Sequence, residues 1–289
     1  MSPAAAGLLL LGALAVCAPP GALAQGDARR GEYLAKAGGC IGCHTEERKG
    51  ATPFAGGRAL KTPFGTFYGP NITPDPKSGL GLWSEADFIR AMREGRRPDG
   101  ANYYPAFPYP SFTKIADPDL KDLWAYLRTL TPSAQASRPH ELRFPFGYRV
   151  LLWGWKWLFF RPGAFVPARD RTAQVNRGAY LTEALGHCGE CHTPRNFLGG
   201  PKRGRHLAGG KLPDGGTASN LTPTRLKKWS DGEIKDVLQT GLGPDGDIVA
   251  EAMGEVVRNT TSKLTSADVD AIIAYLRALP PLPVEPKPK

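Results

Sequence analysis

The pattern Cys-x-x-Cys-His occurs twice in this chain, as CIGCH at Cys40–His44 and as CGECH at Cys188–His192. The two motifs use four of the five cysteines, and the fifth, Cys17, lies in an apolar leader. A cysteine pair at this spacing can be a redox dithiol, half of a zinc site or the anchor of a haem. A structural zinc takes four nitrogen or sulfur ligands. Cys40, Cys43 and His44 supply at most three, and adjacent Cys43 and His44 cannot easily reach one tetrahedral ion together. A redox dithiol needs no histidine after it. Covalent haem needs all three residues: the thiols add to two vinyl groups and the imidazole swings beneath the iron. The motif therefore reads as c-type haem attachment, made twice. Cys40, Cys43, Cys188 and Cys191 are the expected anchors, and His44 and His192 the expected proximal iron ligands.

The rest of the chain is duplicated around these motifs. "RG-x-YL" stands at Arg30–Leu34 and Arg177–Leu181, ahead of each motif. "FAGGRAL" (Phe54–Leu60) is echoed by "LAGGKL" (Leu207–Leu212), and "NITP" (Asn71–Pro74) by "NLTP" (Asn220–Pro223). "WSEADFIRAMREG" matches "WSDGEIKDVLQTG", "PDG" recurs at Pro98 and Pro244, and "AYLRTL" matches "AYLRAL". Ser84 with Asp87, and Ser230 with Glu233, have capping-box spacing. Gly95 and Gly241 are placed to end those helices. Leu120, Leu123, Trp124 and Leu127, then Val269, Ile272, Ile273 and Leu276, mark one apolar face on each last helix. The order predicts a small all-α haem domain, made twice, in which the apolar haem supplies much of the core.

The second axial ligand separates the copies. A methionine thioether commonly faces the histidine across a c-type haem iron. Beyond Met1 there are only Met92 and Met253. Met253 lies seven residues after Gly246 of "PDG", in what reads as a ligand loop between two helices. The same count from Gly100 reaches Phe107, which cannot ligate iron. Met92 falls on the inner face of the preceding helix, where core packing competes with ligation. The first site is thus open to three readings: Met92, no strong ligand, or recruitment of Tyr103, Tyr104, Tyr109 or His140. For Asn71, Asn220, Trp83 and Trp229 two readings stand side by side, hydrogen bonds to haem propionates or turn and packing roles. His187 and His206 read as surface or neighbouring residues.

Residues 1–24 carry no charged side chain and end in "ALA" before Gln25, a small-x-small cleavage pattern, so the chain reads as exported. The formal net charge of +10 favours acidic partners or anionic lipid and carries no nucleic-acid motif with it. Between the copies, Val150–Phe160 is apolar and holds Trp153, Trp155 and Trp157 around Lys156. It is too short to span a bilayer. It reads either as a helix packed between the domains or as a membrane-interface or partner-docking segment. The tail "PPLPVEPKPK" reads as extended and disordered.

"GCIGCHT", "FAGGRALKTPFGTFYGPNITPDP", "WSEADFIRAMREG", "FPFGYR…FFRPGAF", "NRGAYL", "HCGECHTPRN" and "EVVRNTTSKL" resemble the multihaem cytochrome c subunits of bacterial periplasmic alcohol, aldehyde and sugar-acid dehydrogenases. The likeness runs from about Asp27 to Pro281. It implies two tandem class I cytochrome c-like domains, with electrons taken from a dehydrogenase subunit and passed to quinone, a terminal oxidase or another cytochrome. The best-known members of that family carry three haems where this chain has motifs for two. Many also have methionine where this chain has Phe107. The expected organisation is a signal peptide at 1–24, haem domains at 25–132 and 176–281, an aromatic-rich linker at 133–175 and a tail at 282–289. The competing reading is a haem enzyme acting on peroxide or a small sulfur compound at an open first haem.

Overall fold

The computed structural model describes residues 26–213, 215–249 and 251–283. The leader, with Cys17, and most of the Pro-rich tail lie outside the described residues. The first half runs α1 (Ala28–Ala37), α2 (Cys40–His44), β1 (Ala59–Thr62), β2 (Gly65–Tyr68), α3 (Glu85–Glu94), α4 (Tyr109–Phe112) and α5 (Asp117–Leu127). Then come β3 (Glu141–Leu142) and α6 (Leu151–Phe159). The second half runs α7 (Ala173–Tyr180), which continues as a π turn over Leu181–Leu185, then α8 (Gly189–His192), β4 (Gly210–Lys211) and β5 (Thr217–Ala218). It ends with α9 (Pro223–Leu226), α10 (Asp231–Thr240), α11 (Glu251–Asn259) and α12 (Ser266–Arg277). No described helix is long and apolar enough to cross a membrane.

Local signals set the helix ends. Ser84 and Ser230 each complete a capping box, with Asp87 and Glu233 as partners. Gly95 (φ 59°) and Gly241 (φ 80°) close the same helices in the left-handed region. In each half the first and last helices cross at a glycine. A Cβ on Gly31 would sit 1.9 Å from the Asp122 carbonyl oxygen, and one on Gly178 would sit 1.8 Å from that of Ala271. This crossing is the physical reason for the glycine of "RG-x-YL". Leu34, Leu120, Leu123 and Leu127 of the first half and Leu181, Val269, Ile272 and Leu276 of the second are buried in one apolar cluster that runs through both halves.

The expectation of an all-α chain is corrected. β1 and β2 form an antiparallel hairpin, Ala59 opposite Tyr68 and Thr62 opposite Gly65. β3 adds to it, with Glu141 opposite Thr66. β4 and β5 form a second, two-residue pair. The hairpin is formed by "ALKTPFGTFY", Ala59–Tyr68. Its Thr, Phe and Tyr residues favour strands, but four-residue strands are too short to show a period.

The segment 133–175 is likewise no simple joiner between two domains. It supplies β3 to the first half's sheet, and His140 Nδ1 accepts the Tyr68 N–H at 3.1 Å. Leu152 is buried with Phe67 and Tyr104. Lys156 turns inward to the carbonyls of Glu94 and Gly95 and to Asn102 Oδ1. From the same helix, Trp155 donates to the Leu198 carbonyl at 3.0 Å, and the Phe159 ring lies against Gly200. So α6 bridges both halves with one face, while Leu151, Trp153, Trp157 and Leu158 on the other stay exposed.

Candidate haem-binding site

His44 Nδ1 lies 2.7 Å from the Pro70 carbonyl, and His192 Nδ1 lies 2.7 Å from the Ser219 carbonyl. A carbonyl can only accept, so Nδ1 carries the hydrogen in both rings. The Nε2 lone pair is what each ring has left for a metal. Burial lowers both imidazole pKa values, which keeps the rings neutral.

The surrounding backbone is duplicated bond for bond. Gly56 N–H donates to the His44 carbonyl, and Gly209 N–H to that of His192, each at 2.8 Å. Thr45 and Thr193, directly after the histidines, accept the N–H of Phe54 and Leu207 at 3.1 Å. Phe54 (φ 62°) and Leu207 (φ 58°) are both buried in the left-handed region, which costs energy for a side chain with a Cβ. Their carbonyls accept from Ile72 and Leu221. Each motif is thereby tied to its "NITP" or "NLTP" loop. The left-handed Phe54 and Leu207 were missed from sequence; the glycine pair after each was the only signal.

The donor set suits a covalent haem. The four motif cysteines form no disulfide. Burial pushes the thiols of Cys40 and Cys188 up to about 12, opposite to the lowered values of redox-active pairs. Among the described residues no three His, Cys, Asp or Glu side chains converge to hold a metal ion. Cys188 opens on a small apolar crevice lined with Leu181, Val256, Leu264 and Ile272.

Asn71 is 2 % exposed, and the protein takes all its hydrogen-bonding capacity. Its amide donates to the carbonyls of Ser133 and Gln135, and its Oδ1 accepts from the Thr73 N–H and hydroxyl. Asn220 donates to the Leu282 carbonyl and accepts the same pair of bonds from Thr222. Both asparagines therefore strap down the chain that follows the last helix, a role beyond the two read from sequence. The strap holds the first residue of the tail, Leu282, and Arg205 donates to Pro283. Trp83 and Trp229 are half-buried beside the core, and no described residue accepts from either indole N–H.

Beyond α3 and α10 the copies diverge. After Gly95 and Gly241 the chains make the same bridged turn, with Tyr103 N–H on the Gly95 carbonyl and Val249 N–H on that of Gly241, both at 2.9 Å. Met253 then sits half-buried within α11, in a helix where a loop had been expected. Phe107 precedes the single turn α4 and packs on Tyr103, Tyr109 and Phe112. Met92 is buried in the core on α3. His140 is packed against Phe67 of the hairpin and against Tyr104, whose hydroxyl donates to the Gly147 carbonyl. His206 Nε2 pairs with Glu183, which also receives Lys114 and Tyr275. The His187 ring lies against Phe112.

Two cysteine pairs, each followed by an imidazole whose Nδ1 is held by a carbonyl, stand in equivalent places in the two halves. The family model for cytochrome c matches residues 28–131 and again 175–280. A diheme cytochrome c-type protein of Cereibacter sphaeroides is 47% identical over 259 residues, covering 88% of this chain and 86% of that protein. The gluconate 2-dehydrogenase cytochrome c subunit of Pantoea cypripedii is 41% identical over 87% of this chain, which spans 59% of that subunit. The fructose dehydrogenase cytochrome subunit of Gluconobacter japonicus is 38% identical over 87% of this chain, which spans 52% of that subunit. The chain belongs to the cytochrome c family and carries two covalently bound haem c groups.

Proposed function

We propose that this cytochrome takes electrons one at a time from a dehydrogenase catalytic subunit and passes them towards the respiratory chain, outside the cytoplasm. The observation that carries this reading is the pair of histidines with Nδ1 committed to a carbonyl, in a chain similar to a dehydrogenase cytochrome subunit. When bound, the haem iron supplies a site that gains and loses one electron. Cys40 and Cys43 anchor one haem and Cys188 and Cys191 the other. His44 and His192 are the proximal ligands, and Met253 is the distal ligand of the second haem. The Trp83 and Trp229 indoles are free to meet propionates. Residues 25–132 and 176–281 are the two haem domains, behind a signal peptide at 1–24. Electron transfer is favoured over catalysis at an open haem because the gluconate relative is a cytochrome subunit.

The exposed face of α6, with the exposed Arg143 and Arg161 before and after it in the chain, supports a peripheral contact with the membrane surface. The acceptor is quinone, a terminal oxidase or another cytochrome.

The first test is mass. The denatured wild-type chain should retain two haems, and Cys40→Ser/Cys43→Ser or Cys188→Ser/Cys191→Ser should each retain one. The second test is the donor. The chain purified with its native partners should be reduced when the dehydrogenase substrate is added. A chain that purifies alone and stays oxidised would remove the dehydrogenase from the reading.

A further inference from the structure

The two halves hold each other by an exchanged pair of tyrosines. Tyr33, from "RG-x-YL" of the first half, donates its hydroxyl to Asp268 of the second. Arg177 grips that aspartate with two bonds, at 2.8 and 2.7 Å, and the Thr265 N–H donates to the tyrosine oxygen at 3.3 Å. Tyr180, from the second "RG-x-YL", donates to Asp119 of the first half. Arg30 pairs with Asp119, and the Ala116 N–H donates to the Tyr180 oxygen at 3.1 Å. Every residue of one set has its equivalent in the other. Each aspartate is held by the arginine of its own half and by the tyrosine of the opposite half. Asp119 is buried, and a buried carboxylate is costly unless it is fully bonded. The phenol completes that bonding only when the halves are in register.

The same exchange brings the haem-attachment loops together. A Cβ on Gly38 would lie 3.5 Å from Cys40 Sγ and 3.8 Å from the Leu185 carbonyl oxygen of the other half. A Cβ on Gly186 would lie 3.5 Å from Cys188 Sγ and 3.9 Å from that of Ala37. The crevice beside Cys188 is closed by Ala37. The helices α11 and α4 also cross over. Glu255 of α11 pairs with Arg58 and lies beside Gly42 of the first motif, while Ser111 of α4 donates to Glu190 of the second.

We propose that Tyr33 and Tyr180 are positioning residues for electron exchange between the two haems, locking the attachment loops of the halves against each other. The inference rests on the attachment reading above. The exchange moves one electron, oxidising one site as the other is reduced, and it makes or breaks no bond.

The test uses the full holoprotein and the variants Tyr33→Phe, Tyr180→Phe and the double. One electron is injected by flash photoreduction and its redistribution between the haems is followed. Circular dichroism in the Soret band reads the mutual orientation of the haems. The double variant should redistribute the electron about tenfold more slowly and lose the paired positive and negative Soret lobes, with each haem's absorption and midpoint potential unchanged. Each single variant, and Asp268→Asn, should slow it about threefold, and these carry the test if the double does not fold. Unchanged rates and dichroism in folded variants would overturn the proposal. A wild-type chain with fewer than two covalent haems by mass would instead overturn the attachment reading.

Discussion

His44 and His192 meet their carbonyls at the same 2.7 Å, and Phe54 and Leu207 take the same left-handed turn, yet the chains around them differ in length. Cys40 follows Leu34 by six residues, whereas Cys188 follows Leu181 by seven. The second half absorbs the extra residue in the π turn over Leu181–Leu185, closed by Gly186 N–H on the Leu181 carbonyl at 2.7 Å. His187 (φ 38°) then stands in the left-handed place that Gly39 (φ 60°) fills in the first half. The second half accepts that strain and keeps the cysteines and histidine in place. Between Gly95 and α5, and between Gly241 and α12, there is no such restraint. One turn at α4 faces nine residues at α11, and phenylalanine stands where the other copy has methionine. The Cys-x-x-Cys-His motifs and the loops tied to them are held to one geometry; the segments around Phe107 and Met253 are where the copies diverge.

The axial contrast gives the largest expected effect. Met253→Ala should abolish the sulfur-to-iron absorption band of the ferric protein and lower one midpoint potential by on the order of 100 mV, within the roughly 0.8 V that axial ligands span. Met92→Ala should leave that band intact. Phe107→Met should add a second band and raise the other potential, making the halves more alike. If Met92→Ala removes the band, the equivalence of positions 107 and 253 is broken.

The helix crossings should respond equally. Gly31→Ala and Gly178→Ala each place a Cβ against a carbonyl oxygen and should cost about 3–5 kcal/mol in guanidinium unfolding. A large cost in one half alone would mean that only one crossing is tight.

Acid should separate the halves. Burial alone would raise the Glu183 carboxyl, but His206 and Lys114 outweigh it and hold it at about 2 against its usual 4.5. A lowered carboxyl pKa adds stability at neutral pH that is lost as pH falls from about 4.5 towards 2. Glu183→Gln should therefore cost about 2–3 kcal/mol at pH 7 and flatten the acid limb of a stability-against-pH curve. The equivalent residue of the first half is Lys36, exposed and paired with Glu32. Lys36→Gln should change stability by less than about 0.5 kcal/mol at any pH.

The smallest effects test the part that is most alike. Ser84→Ala and Ser230→Ala each remove a capping box and should cost about 1 kcal/mol apiece by thermal unfolding. Unequal costs would show that one of the two helices is held mainly by packing.

The sequence by itself determined what is encoded over a few neighbouring residues. The attachment motifs, the capping boxes, the terminating glycines and the apolar faces of α5 and α12 were legible because each is a short-range pattern with one dominant physical meaning. The duplication was legible for the same reason, since it repeats those patterns in order. The tertiary structure alone decided the rest. The strap from Asn71 to Ser133, the strand that 133–175 lends to the first half and the inward turn of Lys156 all join distant segments. The bond from Tyr33 to Asp268 spans 235 positions. In the sequence, Tyr33 is only an amphipathic residue on a helix and Asp268 only a first-turn carboxylate. Their partnership exists because two copies of one fold pack face to face. That packing depends on the summed shape and charge of both surfaces, which no local pattern of residues records.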